Sequence, residues 1–136
     1  MILCDAGPLV AILIARDAAH ERCTQAVRSF QSVKMMTTEA CLAEAFHLLG
    51  RGGGLRAQGG LWSLLRAGKL TVFTPTVNAR LRTGAYMERY ADRPCDYADA
   101  TLLVAAEDTG LRRIFTIDKH FHAYRLMDGT ALEVIP

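Results

Sequence analysis

The sequence predicts an α/β fold, a three-layer α/β/α sandwich around a mostly parallel central sheet, and three observations predict it. Short apolar runs alternate with stretches whose apolar residues recur at helical spacing. The runs are continuous, as strands buried on both faces of a parallel sheet require. Acidic residues stand immediately past two of them, at Asp5 and Asp118, where open α/β sheets bind their ligands. At 136 residues the chain fits a single domain, 1–136, able to bury a core without staples.

Met1-Ile2-Leu3-Cys4 is the first strand, and Asp5-Ala6-Gly7-Pro8 ends it. Pro8 suits the first turn of a helix that continues through Ile14. A second helix is expected over 18–30, with Cys23, Ala26, Val27 and Phe30 on its inner face. Residues 33–37 form a weaker strand. Thr38 then suits the N-cap of a helix running to about Leu49 and ended by Gly50. Leu42, Ala45, Phe46 and Leu49 make one stripe on that helix. Glu44 falls among Ala40, Cys41 and Leu48, all apolar, where a carboxylate is costly unless held for a purpose. Glu39 in the first turn serves the helix dipole; Glu44 has no such role.

Arg51-Gly52-Gly53-Gly54 reads as a flexible connection, and no G-K-[ST] follows to make it a phosphate loop. A helix over 55–67 ends at Gly68, and the β-branched residues of 70–74 give the next strand, stopped by Pro75. Residues 77–90 form an exposed helix. Pro94 keeps the residue before it out of the helical region, so the following helix starts with Asp96 as N-cap and Asp99 in the first turn, and runs to Asp108-Thr109-Gly110. A strand over 113–117 precedes Asp118, and Leu132-Glu133-Val134-Ile135 is a last, edge-like strand. Alternating strands and helices imply right-handed parallel crossovers.

Composition narrows the function classes. With 51% apolar and 22% charged residues the chain is an ordinary globular protein. The formal charge of +2 hides an uneven layout, with most Lys and Arg after residue 50, a half that could carry a phosphate-facing surface. Cys4, Cys23, Cys41 and Cys95 show no C-x-x-C pairing, which argues against zinc, and Cys4 and Cys41, inside apolar runs, read as small buried side chains in a reducing compartment. His120 and His122 lack a metal-ligand pattern and read as peripheral. No apolar run approaches the ~18 residues of a membrane span, and no basic leader precedes Ile2-Leu3-Cys4. The expected location is cytoplasmic.

Asp5, Asp118 and the N-terminus of the 97–108 helix, with Asp99, all face the carboxyl edge of the sheet. Glu44 can join them from the side. Carboxylates within ~5 Å of one another repel by several kcal/mol at an intermediate dielectric. Either some stay protonated or a cation joins them. Mg²⁺ or Mn²⁺ suits an all-carboxylate set and is often completed by substrate phosphate. The chemistry this points to is hydrolysis of a phosphodiester by water. No Ser-His-Asp or Cys-His arrangement can be drawn from the sequence.

Four segments spanning nearly the whole chain carry a family resemblance: Ile2-Leu3-Cys4-Asp5-Ala6-Gly7, Thr37-Thr38-Glu39-Ala40-Cys41-Leu42-Ala43-Glu44, Asp96-Tyr97-Ala98-Asp99-Ala100 and Phe115-Thr116-Ile117-Asp118-Lys119-His120-Phe121. In this order and spacing the chain resembles the PIN-domain nucleases, most closely the VapC-type toxins of bacterial toxin–antitoxin pairs. The resemblance implies a PIN-like fold and a Mg²⁺-dependent endoribonuclease (Mn²⁺ substituting). It implies Asp5, Glu44, Asp99 and Asp118 as catalytic metal-site acids, Asp96 as an auxiliary acid and Thr116 as a hydroxyl partner. It further implies an RNA substrate, a homodimer and a small antitoxin whose tail enters the site. Ala6-Gly7 departs from the Ser or Thr common after the first acid, which removes a hydroxyl there but not the acid set.

Three other readings compete. A haloacid-dehalogenase-like phosphatase with Asp5 as nucleophile needs a second acid two residues on, where Gly7 stands. A non-cleaving PIN module that binds RNA or protein would be favoured by a missing core acid, and none is missing. An RNA-processing PIN nuclease without an antitoxin has the same residues, and the neighbouring gene would separate it from a toxin.

Overall fold

The computed structural model describes residues 1–136 and contains five strands and five helices. The elements run β1 (Ile2–Cys4), α1 (Ala6–Leu13), α2 (His20–Ser29), β2 (Met35–Thr38), α3 (Glu39–Arg66), β3 (Leu70–Phe73), α4 (Val77–Arg89), α5 (Tyr97–Thr109), β4 (Arg113–Phe115) and β5 (Glu133–Ile135), with a 3-10 turn at Lys119–His122 before the last strand. All strand pairs are parallel, in the order β3-β2-β1-β4-β5. The sheet is therefore wholly parallel, and the α/β sandwich expected from the alternating pattern is the observed architecture. No helix is long and apolar enough to cross a membrane.

The continuous apolar run of β1 has the burial that its sequence demands: Ile2, Leu3 and Cys4 are fully enclosed at the centre of the sheet. α1 packs on α2 and α3, while α5 packs on α4, α3 and β2. α5 presents Leu102, Leu103, Val104, Ala105 and Ala106 to the interior, all buried, as a helix covered on several sides must. α4 buries Ala79, Thr83 and Tyr86 and leaves Val77 and Leu81 exposed. All four cysteines are buried and unpaired.

Several boundaries move for identifiable reasons. α1 begins at Ala6, before Pro8, because Asp5 itself is the N-cap and accepts from the Ala6 N–H. β4 ends at Phe115, two residues short of the expected strand. There the Thr116 hydroxyl accepts from the Asp118 N–H at 3.0 Å, a side-chain turn that competes with the sheet ladder. β2 starts at Met35, later than expected, and extends through Thr38.

The connection expected at 51–54 is mostly helical. α3 runs through it, and the helix breaks only at Gly54 (φ 62°, ψ −158°), a conformation essentially confined to glycine. The Arg16 guanidinium, in the turn after α1, donates to the Gly52 carbonyl and ties this kink to the body of the fold.

Candidate active site

The chain leaves β1 toward β2 and β3, then crosses back to β4 and β5, so its order reverses at the β1–β4 pair. Ligands of open α/β sheets bind beyond the carboxyl ends of strands at such a reversal. Asp5 follows β1 there, and Thr116 to Asp118 follow β4. α3 and α5 bring Glu44 and the Asp96–Asp99 turn to the same place. The result is an open cleft of about 350 Å³, lined by Asp5, Glu44, Asp96, Asp99, Asp118 and His120, with Leu48, Pro94 and Ile117 as apolar wall.

Each acid is held by its local backbone. Asp5 Oδ1 accepts from the Ala6 N–H at 2.7 Å, and Oδ2 accepts from the Thr116 hydroxyl at 2.8 Å. Thr116, buried beneath the cleft, thus sets the Asp5 carboxylate from below. Asp96 and Asp99 form a capping box: Asp96 Oδ1 accepts from the Asp99 N–H at 2.9 Å, and Asp99 Oδ2 accepts from the Asp96 N–H at 3.3 Å. The Tyr124 hydroxyl stands 3.5 Å from the same Asp99 oxygen and 3.1 Å from the Pro94 carbonyl. Asp118 caps the 3-10 turn, its Oδ1 accepting from the His120 N–H at 2.9 Å and lying 2.6 Å from His120 Nδ1. Glu44 sits exposed on α3 with no side-chain partner of its own.

The cleft lining includes five carboxylates and one histidine, and neither lysine nor arginine. Burial and the neighbouring Asp96, Asp5 and Asp118 push the Asp99 carboxyl up to about 7, against its hydrogen bond from the Asp96 backbone. Asp99 is only 7% exposed. Asp5 is raised by burial and by Asp118 and Asp96, with the Thr116 and Ala6 hydrogen bonds opposing. Partial burial, Asp5 and Asp96 raise Glu44 as well. No lysine or arginine lines the cleft to neutralise this set, and His120 contacts Asp118 alone.

Asp5, Glu44, Asp96, Asp99 and Asp118 therefore meet in one cleft, with Thr116 directly behind Asp5. They do not close on one point: no three His, Cys, Asp or Glu side chains form a closed metal-binding group. The donor chemistry nonetheless fits a hard divalent cation. The carboxylate oxygens share a cleft without a lysine or arginine, and Asp99 Oδ1, in a nearly buried side chain, has no hydrogen-bond partner.

Two residues escaped the sequence reading. His120, expected to be peripheral, lines the cleft because it stands two residues after Asp118, the reach of an Asx turn. That spacing was the available signal. Tyr124 has none, since a buried tyrosine needs a partner but the sequence does not say which. His122 is exposed outside the cleft, as expected.

The PIN-domain family model matches residues 2–126. Among solved structures, VapC20 of Mycobacterium tuberculosis, described as a sarcin–ricin loop cleaving toxin, is similar with a TM-score of 0.82, 23% identity and 100% of both chains covered. FitAcB of Neisseria gonorrhoeae has a TM-score of 0.59 at 18% identity, covering 100% of this chain and 97% of that one. PAE2754 of Pyrobaculum aerophilum has a TM-score of 0.52 at 21% identity, covering 90% and 82%. No curated protein sequence matches. At these identities the structures establish a shared fold.

Proposed function

The chain belongs to the PIN-domain family, and from that premise we propose that it is a divalent-metal-dependent endoribonuclease, the toxin of a toxin–antitoxin pair. The observation that carries the reading is the cleft of five carboxylates without a lysine or arginine, set where the strand order reverses. Likeness in fold to a toxin that cleaves the sarcin–ricin loop supports the choice of RNA and of the toxin class. A small antitoxin partner, a homodimer and a cytoplasmic setting belong to the same proposal.

Asp5, Glu44, Asp99 and Asp118 would hold Mg²⁺, with Mn²⁺ as substitute. When bound, the ion neutralises phosphate charge and lowers the pKa of water. The chain's own residues do the positioning. Thr116 fixes one Asp5 oxygen, leaving lone pairs of both oxygens to the cleft. Asp96, the auxiliary acid, orients Asp99 through the capping box. His120 anchors one Asp118 oxygen and leaves Oδ2 without a hydrogen bond. Leu48, Pro94 and Ile117 exclude part of the solvent and strengthen each charge interaction inside.

The test is cleavage of purified ribosomal and transfer RNA with EDTA, then with added Mg²⁺ or Mn²⁺. The expected result is fragments only with a divalent ion; cleavage that survives EDTA contradicts the metal dependence. A short upstream reading frame whose product co-purifies with this chain and blocks cleavage supports the toxin assignment over an RNA-processing role.

A further inference from the structure

We propose that single-stranded RNA crosses the carboxyl edge of the sheet along a three-station track, with a base pocket on one side of the acidic cleft and a phosphate station on the other. This rests on the nuclease reading above and adds where the substrate lies. The strand order lays out the stations. Beyond β2 and β3 is a pocket of about 110 Å³ whose lining includes Thr38, Phe73, Arg80, Tyr97 and Thr101. Beyond β1 and β4 is the acidic cleft. Beyond β4 and β5 is a hollow of about 130 Å³ that includes Arg22, Lys119 and His122 in its rim. Four inter-strand gaps of about 4.8 Å put the two ends of the edge roughly 19 Å apart, a span of a few nucleotides.

The stations share walls. Asp96 and Asp99 face the acidic cleft from the first turn of α5, while Tyr97 and Thr101, one turn apart, face the base pocket. One helix diameter, about 10 Å, separates the two faces. On the other side, Ile117 and Asp118 line both the acidic cleft and the basic hollow. A strand with its scissile phosphate at the acids thus reaches both neighbours.

The chemistry of each station fits one part of a nucleotide. The base pocket offers the rings of Phe73 and of Tyr97, a residue 48% exposed, surfaces on which a base stacks irrespective of sequence. Its hydroxyls are largely engaged. Thr101 donates to the Ala98 carbonyl at 2.6 Å, so Thr38 is the donor in their 2.7 Å contact. Stacking remains, with the Arg80 guanidinium and the Glu39 carboxylate as the charged groups of the lining. The basic hollow offers two cations, Arg22 and Lys119, that make no ion pair within the chain. A polyanion approaching five carboxylates needs such a foothold, because the cleft alone repels it.

The experiment measures binding of fluorescein-labelled U, A and C decamers by anisotropy between 50 and 300 mM salt. It uses the Asp99→Asn chain with Mg²⁺, and wild-type cleavage is recorded separately. On that background, Tyr97→Ala is expected to weaken binding about 10-fold with an unchanged salt slope. Arg22→Ala with Lys119→Ala is expected to lower the slope of log affinity against log salt by about 0.7 for each phosphate no longer neutralised, leaving base preference unchanged. Circular dichroism and light scattering accompany each variant. Variants that bind like the parent overturn the track, as does a Tyr97→Ala effect confined to oligomeric state. If the wild type cleaves RNA while the variants bind like the parent, only the track falls. If the parent binds no RNA and the wild type cleaves none, the nuclease reading falls and the track with it.

Discussion

α5 carries acids at both ends, and the two ends treat them in opposite ways. At its C-terminal end Glu107 and Asp108 face Arg82 of α4: Arg82 Nη1 lies 3.0 Å from Glu107 Oε2, Nη2 pairs with Asp108, and the Tyr86 hydroxyl donates to Glu107 Oε1. Met127 adds a backbone N–H to Glu107 at 3.1 Å. At the N-terminal end Asp96 and Asp99 meet only each other's backbone, the Tyr124 hydroxyl and two further carboxylates, Asp5 and Asp118. One cluster pairs its acids with a cation and staples α4, α5 and the 127 segment together. The other gathers like charges, and Asp99 answers by holding its proton up to about 7. Acids kept for structure come with their cations, whereas acids crowded without one are suited to a charge supplied from outside.

Substitution at the two ends should therefore separate activity from stability. Asp5→Asn or Asp99→Asn is expected to lower RNA cleavage by about a thousandfold or more while the metal-free fold stays as stable or becomes more so, since repulsion is relieved. Cleavage assays and thermal melts of the same preparations read both. Collapse of the melt together with activity would place these acids in the structural class. Glu107→Gln should do the reverse, costing roughly 1–3 kcal/mol by weakening charge-assisted bonds to Arg82 and Tyr86, with turnover by the folded fraction unchanged in denaturant-controlled assays.

The pH dependence follows from the raised acids. A carboxyl with a folded pKa above its unfolded value binds more protons when folded, so stability falls as pH rises between the two. For Asp99 that window runs from about 4 to about 7, and Asp5 and Glu44 shift in the same direction. In EDTA the melting temperature is expected to drop by on the order of 5 °C between pH 5 and pH 8. Asp99→Asn should flatten the drop, and Mn²⁺ should restore stability most at pH 8. A melting temperature that rises across this window would contradict the repulsion account. Tyr124→Phe, which removes one long bond to Asp99 and one to the Pro94 carbonyl, should change cleavage less than about 10-fold and stability by about 1 kcal/mol.

The same contrast explains what the sequence disclosed. β1 was legible because Ile2-Leu3-Cys4 is apolar on both faces, and the α5 start because Pro94, Asp96 and Asp99 obey local backbone rules. Asp5, Asp99 and Asp118 were legible because each stands at the end of such an element. Glu44 was marked only by apolar neighbours. Long-range partners left no local trace: the Thr116 hydroxyl on Asp5 spans 111 positions, and the Tyr124 contact with Asp99 spans 25. The helix through Arg51-Gly52-Gly53 overrode glycine's low propensity because tertiary ties such as Arg16 to Gly52 hold it. The open spacing of the acids lay beyond sequence reasoning altogether, since it depends on side-chain rotamers at four separate elements.

The central claim is that the uncompensated cluster, and not the compensated one, takes up a divalent cation. Crystals soaked in Mn²⁺ and measured for anomalous scattering test it directly. The account predicts a peak in the cleft between Asp5, Glu44, Asp99 and Asp118, and its loss in Asp99→Asn. A peak only beside Glu107 and Asp108, or none in a crystal whose dissolved protein still cleaves RNA with Mn²⁺, would contradict it.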